Sequence, residues 1–395
     1  MTSTFVPHIV ILGALEADAK KGRITVTVVE RRDAVHHKIG AIRASVRGGE
    51  WTERVRIPLN RVIKHGRTVV GNVVAVDEEA KVLRFSDAAM PPLSFDILIA
   101  ATGTMNHSPG DLSASVTTKD SVRQYFRETS QAIRAAKDVL IVGGGASAIE
   151  YAGEIRDAYP DKPITILCSA AHLLSSSVAP MAPKFLKQLY QSLSNNNIKL
   201  VRGEKVIKPV DMDFSVKKFE VGPLSVRTVG EAGLEVQTDL LLWAATWAIN
   251  ASIYPSNFLN EMGELNINSK FQLVERGDIF AVGDVSSLCE TKQAITLPAK
   301  MKLIRSNIIK VAEAMSKGKF DKNQILPGLK NYRVSDKVTM YLPVGCNDGV
   351  SQIGNTVYGA SKTSKFKGKD LYTNFFWKHL TGGYAPIIVD MDNDS

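Results

Sequence analysis

The stretch that most limits what this chain can fold into is Val139-Leu140-Ile141-Val142-Gly143-Gly144-Gly145-Ala146-Ser147-Ala148-Ile149-Glu150. Four apolar residues predict a short buried strand. Three glycines turn the chain, and a helix follows from Ala146. Gly143, Gly145 and Ala148 carry a G-x-G-x-x-G/A dinucleotide turn. Gly143 permits the tight turn, Gly145 lets the backbone approach a pyrophosphate, and Ala148 lets helix and strand pack closely. The helix N-terminus then offers unpaired N–H groups to the phosphates. A second strand, Ile164-Thr165-Ile166-Leu167-Cys168, follows at the distance such a unit requires.

A similar but altered unit opens the chain. Residues 8–12 and 24–29 read as buried strands, the first ending at Gly13 and the second at Glu30. A carboxylate at the end of the second strand is placed to hold a nucleotide ribose. The turn between them departs from the pattern. Leu15 and Asp18 stand where glycines belong, so Leu15 is expected to crowd a pyrophosphate and Asp18 to set negative charge beside it. The eight residues from Leu15 to Gly22 allow a helix of only about 12 Å.

The remaining elements alternate helix and strand. A helix is predicted around His36–Ala44, and alternating strands around residues 69–76 and 81–85. Apolar strands end in Ala101-Thr102-Gly103, in Ala244-Ala245-Thr246, and in Gly283-Asp284, the last before a helix with Pro298 in its first turn. The fold class is therefore α/β, with two Rossmann-like three-layer nucleotide-binding domains and a small C-terminal α+β segment from about Leu326. The position after the second strand of the second unit is Ser169, not an acid, which permits a 2′-phosphate, and His172 is a candidate partner for it. The aromatic cluster Tyr372, Phe375, Phe376 and Trp377 reads as core.

Composition narrows the function classes. With 395 residues, 44% hydrophobic and 23% charged, this is a globular chain without an eighteen-residue apolar run. The start lacks a signal-peptide pattern, so a cytoplasmic location is expected. The net charge of +9 suits a surface that attracts anionic cofactors. The densest basic run, Lys362 to Lys369, has four lysines and Phe366 in a hairpin-like region. It matches no nucleic-acid motif, which argues against that partner, and leaves room for a weak peripheral contact with a membrane or lipid surface. Cys168, Cys289 and Cys346 form no C-x-x-C, and no His/Cys cluster has zinc spacing; the adjacent His36-His37 completes no metal site.

The order of these motifs resembles the two-dinucleotide-binding-domain flavoproteins, and among them the apoptosis-inducing-factor-like branch with its ferroptosis-suppressor quinone reductases. The sharpest pieces are residues 33–46, Val142–Ile155, Gly277–Asp284 with Thr291-Lys292, and Val344–Ile353. The resemblance implies FAD in a discontinuous domain (residues 1–115 and 250–325), NAD(P)H in residues 116–249, and a C-terminal domain from 326 to 395. It implies that Glu30 holds the adenosine ribose of FAD and Asp284, with Gly283, the ribityl chain. Ala101, Thr102 and Gly103 would line the FAD, joined by Gly13, Arg43 and Val74. Gly143, Gly145, Ala148 and Ser169 would take NAD(P)H, with Glu150 near the nicotinamide and Lys292 at the isoalloxazine edge. The implied activity is hydride transfer from NAD(P)H through flavin to a small acceptor such as a quinone. The missing glycines after Gly13 leave a second reading open: a degenerate flavoprotein that binds NAD(P)H or a partner without turnover.

Overall fold

The computed structural model describes residues 4–5, 12–106, 108–175, 180–207, 219–290, 292–335 and 337–386. The first unit begins with strand β1 (Thr4–Phe5), helix α1 (Leu12–Lys20) and strand β2 (Thr25–Glu30). Helix α2 (Lys38–Arg47) and strand β3 (Arg67–Val70) follow. β1 and β3 both pair in parallel with β2. Strand β4 (Leu98–Ala100) comes next. Its parallel partner among the described residues is a strand almost two hundred positions later, so the first unit is discontinuous.

Between them lies the second unit. Helix α3 (Lys119–Ala135) is capped by Thr118, whose hydroxyl accepts from the Ser121 N–H, and leads into strand β5 (Val139–Val142). Helix α4 (Ala146–Ala158), strand β6 (Ile164–Cys168), helix α5 (Pro183–Asn195) and strand β7 (Ile198–Arg202) continue it. Strands β8 (Glu204–Val206), β9 (Phe219–Gly230) and β10 (Glu235–Trp243) complete a six-stranded sheet of order β7-β6-β5-β10-β9-β8. β5 is parallel to β6 and β10, whereas β9 runs antiparallel to β10 and β8. Strand β5 is apolar at all four positions: Ile141 packs with Ile149 and Ile155 of α4, and Leu140 and Val142 pack on the other face with Val206 of β8 and Val226 of β9.

The chain then returns to the first unit. Strand β11 (Gln272–Leu273) pairs antiparallel with β12 (Arg276–Ala281), which pairs with β4 through Ile279↔Leu98 and Ala281↔Ala100. Helix α6 (Leu297–Ser316) carries proline in its first turn, as expected. The C-terminal segment forms a sheet of β13 (Thr339–Val344), β14 (Asp348–Ile353) and β15 (Thr356–Tyr358). It ends in helix α7 (Ala360–Thr363), a π-helical turn (Ser364–Gly368) and helix α8 (Thr373–Thr381).

Four local expectations change. The strand expected at 8–12 falls mostly outside the described residues, and Leu12 already belongs to α1, so Gly13 lies in a helix and not in a turn. Leu15 is fully buried in the core with Val26, Val28 and Phe280, so it packs where it was expected to crowd a ligand. Asp18 is also fully buried, and Arg305 of α6 donates to it from Nε (2.6 Å) and Nη2 (3.0 Å), which neutralises its charge inside the fold. The basic run at 362–369 is helical and not a hairpin. The buried Arg43 guanidinium draws the Gly368 and Lys369 carbonyls to 2.6 and 2.7 Å, which favours a widened helical turn there.

Candidate active site

One cavity of about 1420 Å³ joins both units. It exceeds the roughly 300–1,000 Å³ of a common small-ligand pocket, so two nucleotide head groups can meet in it. Its wall runs from Glu30 and Val74, past Ala101, Thr102, Gly103, Gly283 and Asp284, to Gly145 and Glu150.

The glycine turn is built as its sequence predicts, with a sharper division of labour. Gly143 has φ +144°, and a Cβ there would stand 2.5 Å from the Ala244 carbonyl oxygen. Gly144 abuts the Cys168 side chain. Gly145 is the N-cap of α4, and a Cβ there meets nothing within 4 Å, so the space in front of the helix is open. Ala148 is fully buried against the sheet. Gly153 on the same helix lies against the Val344–Gly345 backbone, a docking role that the sequence reading missed.

At the other end Glu30 closes β2, 3% exposed, and its Oε1 accepts from the Arg32 N–H at 3.1 Å. Arg32 in turn donates to the Val116 and Leu112 carbonyls, which fixes the loop over the cavity. Thr102 and Asn250 exchange bonds: Thr102 Oγ1 donates to the Asn250 carbonyl, and Asn250 Nδ2 to the Thr102 carbonyl. Gly103 (φ +65°) and Gly283 (φ +75°) have nothing where a Cβ would stand, which leaves room for close approach of a ligand to the backbone. Asp284 Oδ2 accepts a long 3.4 Å bond from Thr104, and Lys292 Nζ donates to Glu264 Oε1 at 2.6 Å and to the Asp284 carbonyl at 3.2 Å. This wall of a ribose-height carboxylate, ligand-facing backbone and a cation on the cavity rim fits FAD.

Arg43, Ser169 and His172 lie elsewhere. Arg43 is 1% exposed and does not line the cavity, because Glu154 holds its guanidinium at 2.6 and 2.7 Å. It therefore joins α2, α4 and the C-terminal segment, where FAD contact was expected. Ser169 is exposed just beyond β6, outside the cavity, and His172 is exposed three residues on.

The C-terminal segment supplies what the sequence reading passed over. Lys367 Nζ donates to Glu150 Oε1 at 2.6 Å within the cavity wall. Burial raises the Glu150 carboxyl above its ordinary range, and Lys367 opposes that shift. Tyr372 and Phe376 belong to the core and also line the cavity, so the aromatic cluster has both roles. Leu371 and Tyr372 are held at φ +49° and +62°, and the left-handed turn brings the Tyr372 ring to the cavity. His36 and His37 line it too, with Nε2 bonded to the Gly110 and Leu371 carbonyls. Burial, with Arg32 next, lowers His36 to about 3, and burial lowers His37 to about 4. The adjacency of the pair was the one signal available, and it points to buried neutral imidazoles and not to a metal.

The pattern of the family described as Pyridine nucleotide-disulphide oxidoreductase matches residues 12–318. The chain belongs to that family. It is an FAD-dependent NAD(P)H oxidoreductase. Apoptosis-inducing factor homolog B of Dictyostelium discoideum is 28% identical over 91% of both chains. Ferroptosis suppressor protein 1 of Homo sapiens is 25% identical over 94% of this oxidoreductase and 95% of the human protein. The sulfide:quinone oxidoreductase of Aquifex aeolicus shares the fold, with a TM-score of 0.69 over 98% of this chain and 92% of that one at 15% identity. Among the described residues of the oxidoreductase, Cys168, Cys289 and Cys346 are free thiols, and no helix is long and apolar enough to cross a membrane.

Proposed function

We propose that this oxidoreductase passes an electron pair from NAD(P)H to a quinone across the cavity that spans its two nucleotide units. That cavity is the observation that carries the reading. FAD, when bound, supplies the two-electron chemistry. The protein supplies position and charge. Residues 1–115 and 250–325 hold FAD, residues 116–249 hold NAD(P)H, and residues 326–395 close the site; the β4–β12 pairing supports the division. Glu30 takes the adenosine ribose and Asp284 the ribityl chain, between the Ala101–Gly103 and Gly283 backbones. Gly143 and Ala148 shape the turn so that Gly145 and the α4 N-terminus can receive the NAD(P)H pyrophosphate, and Ser169 admits a 2′-phosphate. Glu150 orients the nicotinamide end, and Lys292 with the N-terminus of α6 stabilises negative charge at the flavin edge.

A quinone suits the wall formed by Met340, Tyr341, Tyr372, Phe376 and Leu380, which is apolar and aromatic. The structural relative from Aquifex aeolicus is named for a quinone. A disulfide substrate would need a paired thiol that C-x-x-C does not provide here. The exposed Phe366 ring lies 5.5 Å from Tyr341 at the cavity wall, beside Lys362 and Lys365. This favours peripheral contact with anionic lipid, from which an apolar acceptor could enter.

The visible spectrum tests the reading. Purified protein, supplemented with FAD, is expected to show flavin bands that NAD(P)H bleaches and a soluble quinone restores. A Gly-x-Gly-Gly-type insertion after Gly13, which builds a turn where α1 now starts, is expected to raise the flavin-to-protein ratio. FAD-loaded protein whose bands NAD(P)H leaves unchanged would return the second reading, binding without turnover.

A further inference from the structure

We propose that Tyr332, Glu290 and Lys300 form the route by which the proton consumed in quinone reduction reaches the cavity. The inference rests on the quinone reading. Its ground is the balance NAD(P)H + H⁺ + quinone → NAD(P)⁺ + quinol. Hydride brings one hydrogen, and the second must arrive as a proton from solvent.

The cavity wall holds several buried titratable groups, and their connections differ. His36 and His37 commit a ring nitrogen to backbone carbonyls. Lys367 closes on Glu150 and Lys292 on Glu264. Glu290 is placed differently. Its Oε1 accepts from Lys300 Nζ, and its Oε2 accepts from the Tyr332 hydroxyl at 2.9 Å. Glu290 and Lys300 line the cavity, while Tyr332 stands behind them and is half-buried. The three groups thus lead from the cavity outward. Their scaffold is firm. Lys300 is in the first turn of α6 and 5% exposed, with its ammonium 5.6 Å from the centre of the Tyr332 ring. Tyr332 packs on Phe271 at 5.2 Å, and its N–H donates to the Ser269 carbonyl at 2.6 Å.

In the transfer, Lys300 gives a proton from its ammonium to the acceptor oxygen. Glu290 takes a proton from the Tyr332 hydroxyl and, after the carboxyl turns, passes it to the amine. Tyr332 recovers its proton from water. Only O–H and N–H bonds form and break, and the quinone is the sole oxidant.

The test uses FAD-loaded protein and resolves the two halves of turnover by stopped flow. Tyr332→Phe keeps the ring packing and removes the hydroxyl. Reduction of the flavin by NAD(P)H, which needs no outside proton, is expected to keep its rate. Reoxidation by a soluble quinone is expected to slow by on the order of a hundredfold, with a changed solvent deuterium isotope effect and partial rescue by imidazolium buffer. If Tyr332→Phe fails to retain FAD, Glu290→Gln serves the same comparison. Reoxidation within about twofold of the wild type with the same isotope effect overturns the inference. So does an equal slowing of both halves, which marks a structural role. If the wild type does not reduce quinones, the quinone reading fails by itself. The relay is then tested with dioxygen, whose two-electron reduction to peroxide takes up the same proton.

Discussion

Lys367 and Glu150 meet across 2.6 Å although 217 positions separate them, and this contact ties the C-terminal segment to the helix behind the NAD(P)H turn. Glu150 is 3% exposed, so removing its partner leaves a carboxylate in a low-dielectric site. Lys367→Met is expected to cost about 3–5 kcal/mol at neutral pH. The sign with pH follows from the raised carboxyl. Its protonated form is favoured in the fold, so the variant is most stable below the ordinary carboxylate range near ~4.3. It loses stability as the pH rises through the shifted value. Denaturant unfolding at several pH values checks this; a loss that is flat with pH would contradict it.

The two glycines of the turn are expected to separate binding from folding. Gly145→Val adds atoms only to open space, so the thermal midpoint should hold while NAD(P)H affinity collapses and FAD stays bound. Gly143→Ala sets a methyl group against the Ala244 carbonyl at a φ that only glycine adopts freely, and is expected to cost about 1–3 kcal/mol of stability. Thermal melts paired with NAD(P)H titration distinguish the two.

The proposed part of Ser169 in nucleotide choice is tested by adding charge at this exposed position beyond β6. Ser169→Asp is expected to lower kcat/KM for NADPH relative to NADH by about tenfold, the effect of roughly 1.4 kcal/mol of repulsion against a 2′-phosphate. An unchanged ratio would place the ribose elsewhere.

The buried histidines predict sensitivity to mild acid. Their folded values of about 3 and about 4 lie below the ~6.5 of an unfolded chain. The stability they contribute is present above pH ~6.5 and is lost as the pH falls toward the folded values, at roughly 1.4 kcal/mol per pH unit for each histidine. Unfolding free energies at pH 7.5, 6.5 and 5.5 read this slope. Replacing both His36 and His37 by Gln should flatten it.

Local rules made much of the fold legible. The Val139–Glu150 turn, strands Thr25–Glu30 and Ile164–Cys168, and the proline-started α6 depend on neighbours within a few residues, so propensity and periodicity suffice. The return of the chain to its first unit was implied only by the family resemblance, and the pairing of β12 with β4 carries it out.

What the amino-acid sequence determined by itself is the presence of two nucleotide units, the shape of the second glycine turn, the apolar strands that flank that turn, and the strand that ends at Glu30. Only the tertiary structure decided what the polar residues do. Asp18 looked like a charge beside a phosphate until Arg305, 287 positions away, neutralised it. Arg43 looked like a cofactor ligand until Glu154, 111 positions away, took both ends of its guanidinium. Lys367 looked like one lysine in a solvated run until Arg43 gathered the Gly368 and Lys369 carbonyls and the widened turn brought it to Glu150. A charged side chain acts through the partner it meets, and partners brought together by long-range packing leave no periodic mark in the sequence.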